Sequence, residues 1–245
     1  MKKIAVIVSL IFAFVVVAGA QKKMKPWTEW NEKDAQKILN DSAWGQTQTE
    51  TSTSELFYSP ANRGGTGDVG QNAPGQGGGA IGEGQGALNQ ATSINYRIRF
   101  LSAKPIRQAF ARLIVSKQPE LKEQLNQFVE RDFGEWIVVS VVFESRDQRF
   151  TGPAMQVFNS AVIGTLKNNT YLELKGGKRL FLEDYKAPAS DGLGAKFIFK
   201  RAVDGEPFIK PDSGEVRFYS EVARNIKLNM RFKVTEMIYE GKLEY

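Results

Sequence analysis

The chain has 245 residues, of which 42% are hydrophobic, so it can bury a core over most of its length. It contains neither cysteine nor histidine, which excludes disulfides, Cys/His zinc sites and every catalytic triad that needs a thiolate or an imidazole. The formal charge of +6 is diffuse, and solubility alone accounts for a charge of this size.

The amino terminus has the three parts of a secretory signal peptide. Lys2 and Lys3 precede an apolar run, and the run ends at the small-x-small cleavage site Ala18–Ala20. We therefore expect residues 1–20 to be removed and the protein to be secreted or periplasmic. The alternative is an anchor in the inner membrane formed by uncleaved residues 4–20, which the basic residues just after the site favour.

Residues 21–60 are expected to form a tryptophan-rich segment with one short helix and one polar strand. Asn31 suits the helix N-cap, with Asp34 three residues later. Three of the four tryptophans lie here, and they either form an exposed platform for a sugar or a partner protein or dock the helix on the main domain. Docking is favoured, because short helices are marginally stable in water. The three are Trp27, Trp30 and Trp44.

Residues 61–91 are rich in glycine and contain no aromatic residue, which predicts a flexible linker. The run Gly65–Gly70 matches the G-x-G-x-x-G pattern of dinucleotide-binding proteins. That fingerprint needs a strand directly before it and an apolar helix directly after it, and neither is present here. We therefore expect no dinucleotide and assign no cofactor.

Residues 92–245 are expected to form the main domain around the apolar run Glu135–Glu144. This run is short and β-branched, which predicts a strand buried on both faces in the middle of a sheet. An alternating strand over Thr92–Leu101 precedes it, followed by two amphipathic helices that begin at Pro105 and Pro119. The helix pair should cover one face of the sheet.

The remaining pattern predicts a third helix from Pro153 to Leu166 and then antiparallel strands. A hairpin with a two-glycine turn is expected over Tyr171–Leu182. Later strands are expected over residues 195–201, 215–221 and 226–235. The predicted fold is α+β, a mostly antiparallel, two-layer or partly closed sheet with three helices packed on it and the short N-terminal helix on its glycine-rich tether.

The polar face of the last long strand is the clearest basic feature and can bind an anionic polymer, a phosphate headgroup or nucleic acid. Its basic residues are Lys227, Arg231 and Lys233. Basic residues of other strands can join this face, namely Arg97, Arg99, Lys196, Lys200 and Arg201. The alternative is an ordinary solvated sheet face, which is favoured because nucleic-acid-binding surfaces interleave aromatic residues with the charges and this strand does not.

Carboxylates are available at Glu183–Tyr185, Asp191 and Asp204. A pair of acids can catalyse glycoside hydrolysis, but it needs a spacing that only a structure shows. The Asp191–Gly192 and Asp204–Gly205 pairs are better explained as turns. Nothing matches a calcium-binding loop, so no metal site is assigned.

The two ends of the chain resemble a family of secreted bacterial proteins that carries no assigned activity. The resemblance lies in Trp27–Ala35, Leu39–Trp44, Phe232–Val234 and Gly241–Tyr245, and it extends to the helix near 104–114. It implies a bacterial exported protein.

Together these features predict an exported, non-enzymatic protein that binds a protein or another cell-envelope component, for instance an anionic polymer. The predicted ligand-binding residues are the three tryptophans and the three basic residues of the last strand. The alternative is a carboxylate-dependent hydrolase acting on a glycan or cell-wall substrate. Membrane contact is expected only if the signal segment stays uncleaved.

Overall fold

The computed structural model describes residues 25–52 and 92–245. The predicted signal peptide and the predicted glycine-rich linker lie outside these ranges. The α-helices are α1 Glu32–Asn40, α2 Lys104–Val115, α3 Lys122–Glu130, α4 Gln148–Ser160 and α5 Ile163–Leu166. The strands are β1 Gly45–Ser52, β2 Thr92–Phe100, β3 Trp136–Ser145, β4 Thr170–Leu174, β5 Arg179–Phe181, β6 Asp184–Lys186, β7 Ala195–Lys200, β8 Ala202–Val203, β9 Glu206–Pro207, β10 Glu215–Ala223, β11 Ile226–Lys233, β12 Ile238–Tyr239 and β13 Lys242–Leu243.

The fold is α+β, as predicted, with two large antiparallel sheets and two two-stranded ones, β8-β9 and β12-β13. The five-stranded sheet has the order β1-β2-β3-β7-β6, and the four-stranded sheet has the order β11-β10-β4-β5. The predicted central strand, β3, is in the middle of the five-stranded sheet, as expected, and the polar strand β1 is at its edge. None of the helices in the described ranges is long and apolar enough to cross a membrane.

The two sheets face each other across a core of phenylalanines. Alternation along each strand points these rings inward, and they meet edge to face, which is a favoured geometry for aromatic pairs. Phe100 lies 4.9 Å from Phe232, and Phe197 lies 5.3 Å from Phe218, between ring centroids. The four-stranded sheet therefore covers one of the two apolar faces of β3.

The chain passes from one sheet into the other through Leu182 and Glu183, the two residues between β5 and β6. Leu182 N–H donates to Thr170 O in the four-stranded sheet at 3.0 Å, and the next residue, Glu183, donates to Ile198 O in the five-stranded sheet at 2.9 Å. These two hydrogen bonds therefore link the two sheets on this side of the sandwich.

On the opposite side, Gln48 of β1 links the two sheets. Its Nε2 donates to Lys227 O at 2.7 Å, and its Oε1 accepts from Asn229 N–H at 2.8 Å, so its amide pairs with the free edge of β11. The sheet is thus two-layered and partly closed, as predicted.

Helices α1, α2 and α3 form a layer on the outer face of the five-stranded sheet, where α1 contacts β1 and β2. Phe128 of α3 lines a cleft together with Val138 of β3, on the second face of that strand. Asn31 caps α1 as predicted, because its Oδ1 accepts from Asp34 N–H at 2.8 Å. Buried Arg99 of β2 points into this layer, and its Nε donates to Leu39 O at the end of α1 at 2.9 Å. Helix α1 packs on α2, and α2 packs on α3.

The third predicted helix is two helices, so that prediction was wrong in its boundaries. Helix α4 begins before Pro153, which lies in its second turn, where the missing N–H removes only one hydrogen bond. The backbone of Val162 is extended, which separates α4 from α5. Phe158 of α4 is fully buried and stacks on Phe143 at 5.1 Å, so α4 covers one end of the sandwich.

The turns follow the glycines, with one correction. Leu174 N–H donates to Lys178 O, so the hairpin loop also contains Lys175 and is one residue longer than the predicted two-glycine turn. Asp204 and Gly205 form the predicted turn between β8 and β9, both with positive φ.

Candidate functional site

The tryptophans predicted to bind a ligand are anchors in the core. Trp30 is 5% exposed and Trp44 is 7% exposed, and their indole N–H groups donate to Lys25 O at 2.7 Å and Glu244 O at 2.9 Å. Trp27 is partly buried against the same core. Residues 25–52 therefore share a core with residues 92–245. A ligand-binding role for the three tryptophans stays a prediction.

The three basic residues of β11 point away from the core, as predicted, and each pairs with a glutamate. The pairs are Lys227–Glu221 at 3.5 Å, Arg231–Glu215 at 2.9 Å and Lys233–Glu236 at 3.0 Å. Arg231 and Lys233 also line an open polar recess of about 410 Å³ beside α1. The pairing reduces the field that an anionic polymer would meet, and binding by these residues stays a prediction.

The neighbouring strands β4, β5 and β10 also carry paired charges, and on their outer face they add aromatic residues that the basic face of β11 lacks. Tyr171 and Tyr219 stack at 5.1 Å on the outer face of the four-stranded sheet, and the guanidinium of Arg179 lies 4.3 Å from the Tyr171 ring. Arg179 and Arg217 both pair with Glu173, at 2.5 and 3.0 Å. These contacts cover the ring faces from within the protein.

The other basic residues do not join the basic face of β11, so that expectation was wrong. Arg97, Arg99 and Lys196 lie on the outer face of the five-stranded sheet, on the opposite side of the sandwich. Arg97 pairs with Glu144 at 2.6 Å, and burial lowers the pKa of Arg99 to about 10. Strand alternation separates the two groups, because each points outward from a different sheet.

An open cleft remains where the helices stop covering β3. It has a volume of about 490 Å³, and we call it the Trp136 cleft. Its apolar lining is Leu101, Phe128, Phe133, Trp136, Val138, Leu193 and Ile198. Its polar lining is Arg131, Asp132, Asp184, Asp191 and Lys196.

The floor of the cleft is the outer face of β3, β7 and β6. Val138 is directly opposite Ile198, and Ile198 is directly opposite Asp184, so these three side chains form a row across three strands. Trp136 lies two residues before Val138 and hence on the same face. Its side chain is 38% exposed, so part of an indole is open to solvent above an aliphatic floor.

One wall is the loop after α3, held by a buried arginine. Arg107 donates through Nε to Val129 O at 3.0 Å and through Nη1 to Leu101 O at 3.3 Å. Its guanidinium carbon lies 5.1 Å from the Phe133 ring centroid, and that of Arg131 lies 5.5 Å from it. Phe133 is thus fixed by two cation–π contacts.

The facing wall is the loop between β6 and β7. Asp191 forms the predicted turn, since its Oδ1 accepts from Leu193 N–H at 2.9 Å, and its Oδ2 accepts from Lys196 Nζ at 2.7 Å. Gly194 has a φ of +77°, and a Cβ at this position would lie 2.2 Å from Val141 O. Only glycine allows this close approach of the loop to β3.

The acidic side chains of the floor and this wall are acceptors at neutral pH. A hydrogen bond from Lys186 lowers the pKa of Asp184 against the opposing effect of burial. Burial acts to raise the pKa of Asp191, but hydrogen bonds from Lys196 and Leu193 N–H outweigh it, and the net shift is downward. Both carboxylates therefore stay ionised and accept hydrogen bonds only.

This site was not predicted from the sequence. The run Glu135–Glu144, which contains Trp136, was expected to be buried on both faces, and β6, which carries Asp184, was not expected. The alternation of side chains along a strand was the available signal, because it places Trp136 on the same face as Val138. Gly134 and Glu135, just before Trp136, mark the edge of the covered region. Whether a helix covers that face depends on tertiary packing, which a local sequence pattern does not specify.

Within residues 25–52 and 92–245, no group of three or more acidic side chains converges closely enough to hold a metal ion. The carboxylates that line the Trp136 cleft are those of Asp132, Asp184 and Asp191, and we call the polar residues of its lining the rim. No family model matches this chain, and neither a curated protein nor a solved structure matches it. We therefore infer function from the residues of the cleft.

Proposed function

We propose that the protein is exported and acts as a non-enzymatic binding protein that holds a cell-envelope component in the Trp136 cleft. The observation that carries the proposal is Trp136 itself, a large aromatic side chain left 38% exposed on an apolar floor. Ligand sites are typically concave and mostly apolar, with a few polar groups that fix orientation. The amino-terminal pattern supports export.

Binding is favoured over catalysis by the state of the acids. Asp184 and Asp191 accept hydrogen bonds from Lys186 and Lys196 at 2.7 Å, and their pKa values are lowered. A general acid needs the opposite, a pKa raised toward the working pH. The chain also has no histidine to take that role.

A carboxylate-dependent hydrolase is the second candidate, because Asp132, Asp184 and Asp191 line one cleft. Asp132 accepts from Gly134 N–H at 2.8 Å and so also stabilises a turn. Incubation with purified cell-wall glycan distinguishes the candidates. Release of reducing ends that is lost in both Asp184→Asn and Asp191→Asn supports the hydrolase, and stable glycan supports the binding protein.

Retention of envelope material by the immobilised protein tests the binding proposal. We expect Trp136→Ala to reduce retention about tenfold or more, since buried aromatic anchors dominate interfaces. Phe181→Ala is the matched control, because Phe181 is an equally exposed aromatic, at 46%, on the four-stranded sheet. Equal retention by Trp136→Ala and the unmodified protein would contradict the proposal.

Export has its own measurement. N-terminal sequencing of protein recovered from the periplasm or medium should begin at Gln21. Recovery only in the membrane fraction, with residues 4–20 retained, would show the anchored alternative instead.

A further inference from the structure

The charged side chains that line the Trp136 cleft lie beside residues of the opposite sign. Asp191 pairs with Lys196 and Asp184 pairs with Lys186, each at 2.7 Å. Arg131 and Asp132 are sequence neighbours on the facing wall, one of each sign. The rim therefore presents many polar atoms with little net charge.

A charged ligand gains little from such a rim. Its attraction to a charge of one sign is offset by repulsion from the neighbouring charge of the other sign, and solvent screens both because the paired side chains are partly exposed. Hydrogen bonds to uncharged hydroxyl groups do not depend on a net charge. Each rim carboxylate keeps acceptor sites beyond those that its lysine uses, because two oxygens offer about four lone pairs. A hydroxyl donating to an ionised carboxylate forms a strong, charge-assisted hydrogen bond.

The apolar floor of the cleft is complementary to a flat apolar surface on the same ligand. Trp136, Val138 and Ile198 contribute an indole and two aliphatic side chains to this sheet surface. In the described part of the chain, the indole N–H of Trp136 has no hydrogen-bonding partner, so it can donate to a ligand oxygen. A pyranose ring combines a C–H face with an edge of hydroxyls.

A peptide matches this arrangement less well. An extended peptide directs one backbone N–H to a given side only every second residue, about 7 Å apart. A pyranose carries several hydroxyls on one ring. The cleft volume of about 490 Å³ also suits a compact ligand of one or two sugar rings.

We propose that the Trp136 cleft binds an uncharged saccharide, with one ring stacked on Trp136 and its hydroxyl edge bonded to Asp184 and Asp191. This inference rests on the proposed function, since it names the ligand class of the same cleft. The sugar is bound and released unchanged.

Calorimetric titration with the uncharged tetramer of N-acetylglucosamine tests the proposal, next to two charged probes, the cationic glucosamine tetramer and the anionic galacturonate tetramer. We expect the uncharged probe to bind at least about tenfold more tightly than either charged probe. Trp136→Ala and Asp184→Asn should each weaken binding about tenfold, and Phe181→Ala should not change it. Tighter binding of a charged probe, or no effect of Trp136→Ala, would overturn the proposal.

The envelope material retained by the protein separates failure of this inference from failure of the proposed function. Retained material that survives protease treatment and yields monosaccharides on acid hydrolysis supports a saccharide, whichever sugar it contains. Material that depends on Trp136 but is destroyed by protease identifies a protein partner, which overturns the saccharide and leaves the binding function intact. Retention that never depends on Trp136 overturns both.

Discussion

The tryptophans near the amino terminus and Trp136 show two uses of one side chain. Trp30 and Trp44 are buried, and each indole N–H has a backbone carbonyl partner. Trp136 is exposed above an apolar floor, and its indole is open to solvent. Clustering of tryptophan in the sequence therefore marks where a short helix docks, and the isolated tryptophan marks the open site.

The anchors join distant parts of the chain. Trp44 donates to Glu244 O, 200 residues away, and its ring meets Tyr239 edge to face at 6.1 Å. A helix of nine residues is marginal alone, so it needs this contact to persist. Trp136 lies at the first position of β3, and the residues after it pair with both β2 and β7.

The largest expected effect is a difference in stability between variants of a buried tryptophan and of Trp136. Trp44→Ala should lower the free energy of unfolding by about 3–5 kcal/mol, because it removes a buried aromatic ring and leaves a cavity. Trp136→Ala should cost about 1 kcal/mol or less, since its surroundings are already partly hydrated. Urea unfolding of both variants measures the difference. Similar losses in the two variants would mean that Trp136 is also a core anchor.

A smaller effect is expected from the loop that forms one wall of the cleft. Gly194→Ala places a methyl group 2.2 Å from Val141 O and should cost more than about 2 kcal/mol. Gly205→Ala is the matched control, because Gly205 has a φ of +81° but nothing within 4 Å of its Cβ position. It should cost only about 1 kcal/mol. Thermal or urea unfolding compares them, and equal costs would show that the loop does not depend on the close approach.

The smallest expected effect is the response of that loop to acid. Because the pKa of Asp191 is below its ordinary value of 3.8, its ionised form is favoured by folding. The stabilisation is present above 3.8 and is lost as the pH falls through the folded pKa. The amide shift of Leu193, which donates to Asp191, should therefore titrate with a midpoint below 3.8. Asp191→Asn should abolish the titration, and a midpoint above 3.8 would contradict the assigned contacts.

Local patterns predicted much of the fold. Apolar, β-branched residues identified β3 as central, and helical spacing identified α2 and α3. These predictions were possible because burial of one or both faces of an element produces a characteristic spacing of apolar residues. The capping residue Asn31 was predicted from residue type alone.

The candidate site was not predicted, because it depends on where separate elements end. Asp184 and Asp191 occupy a short strand and a turn, and only pairing of β6 with β7 brings them to the face that carries Trp136. Arg107, which fixes the wall beside Phe133, is buried although it is not one of the apolar positions of its helix, so helical spacing did not predict its role. The basic residues of β11 were visible in the sequence, but their glutamate partners lie on other segments.

The most direct test follows the four tryptophan side chains at once by the ¹⁵N–¹H signals of their indole groups, assigned with Trp→Phe variants. The protein is titrated with the N-acetylglucosamine tetramer and, in parallel, with the soluble envelope fraction that it retains. If the Trp136 cleft is the binding site, the Trp136 signal shifts while those of Trp30 and Trp44 stay in place. A shift of Trp27, Trp30 or Trp44 with an unchanged Trp136 signal would contradict the account and place binding at the amino-terminal segment.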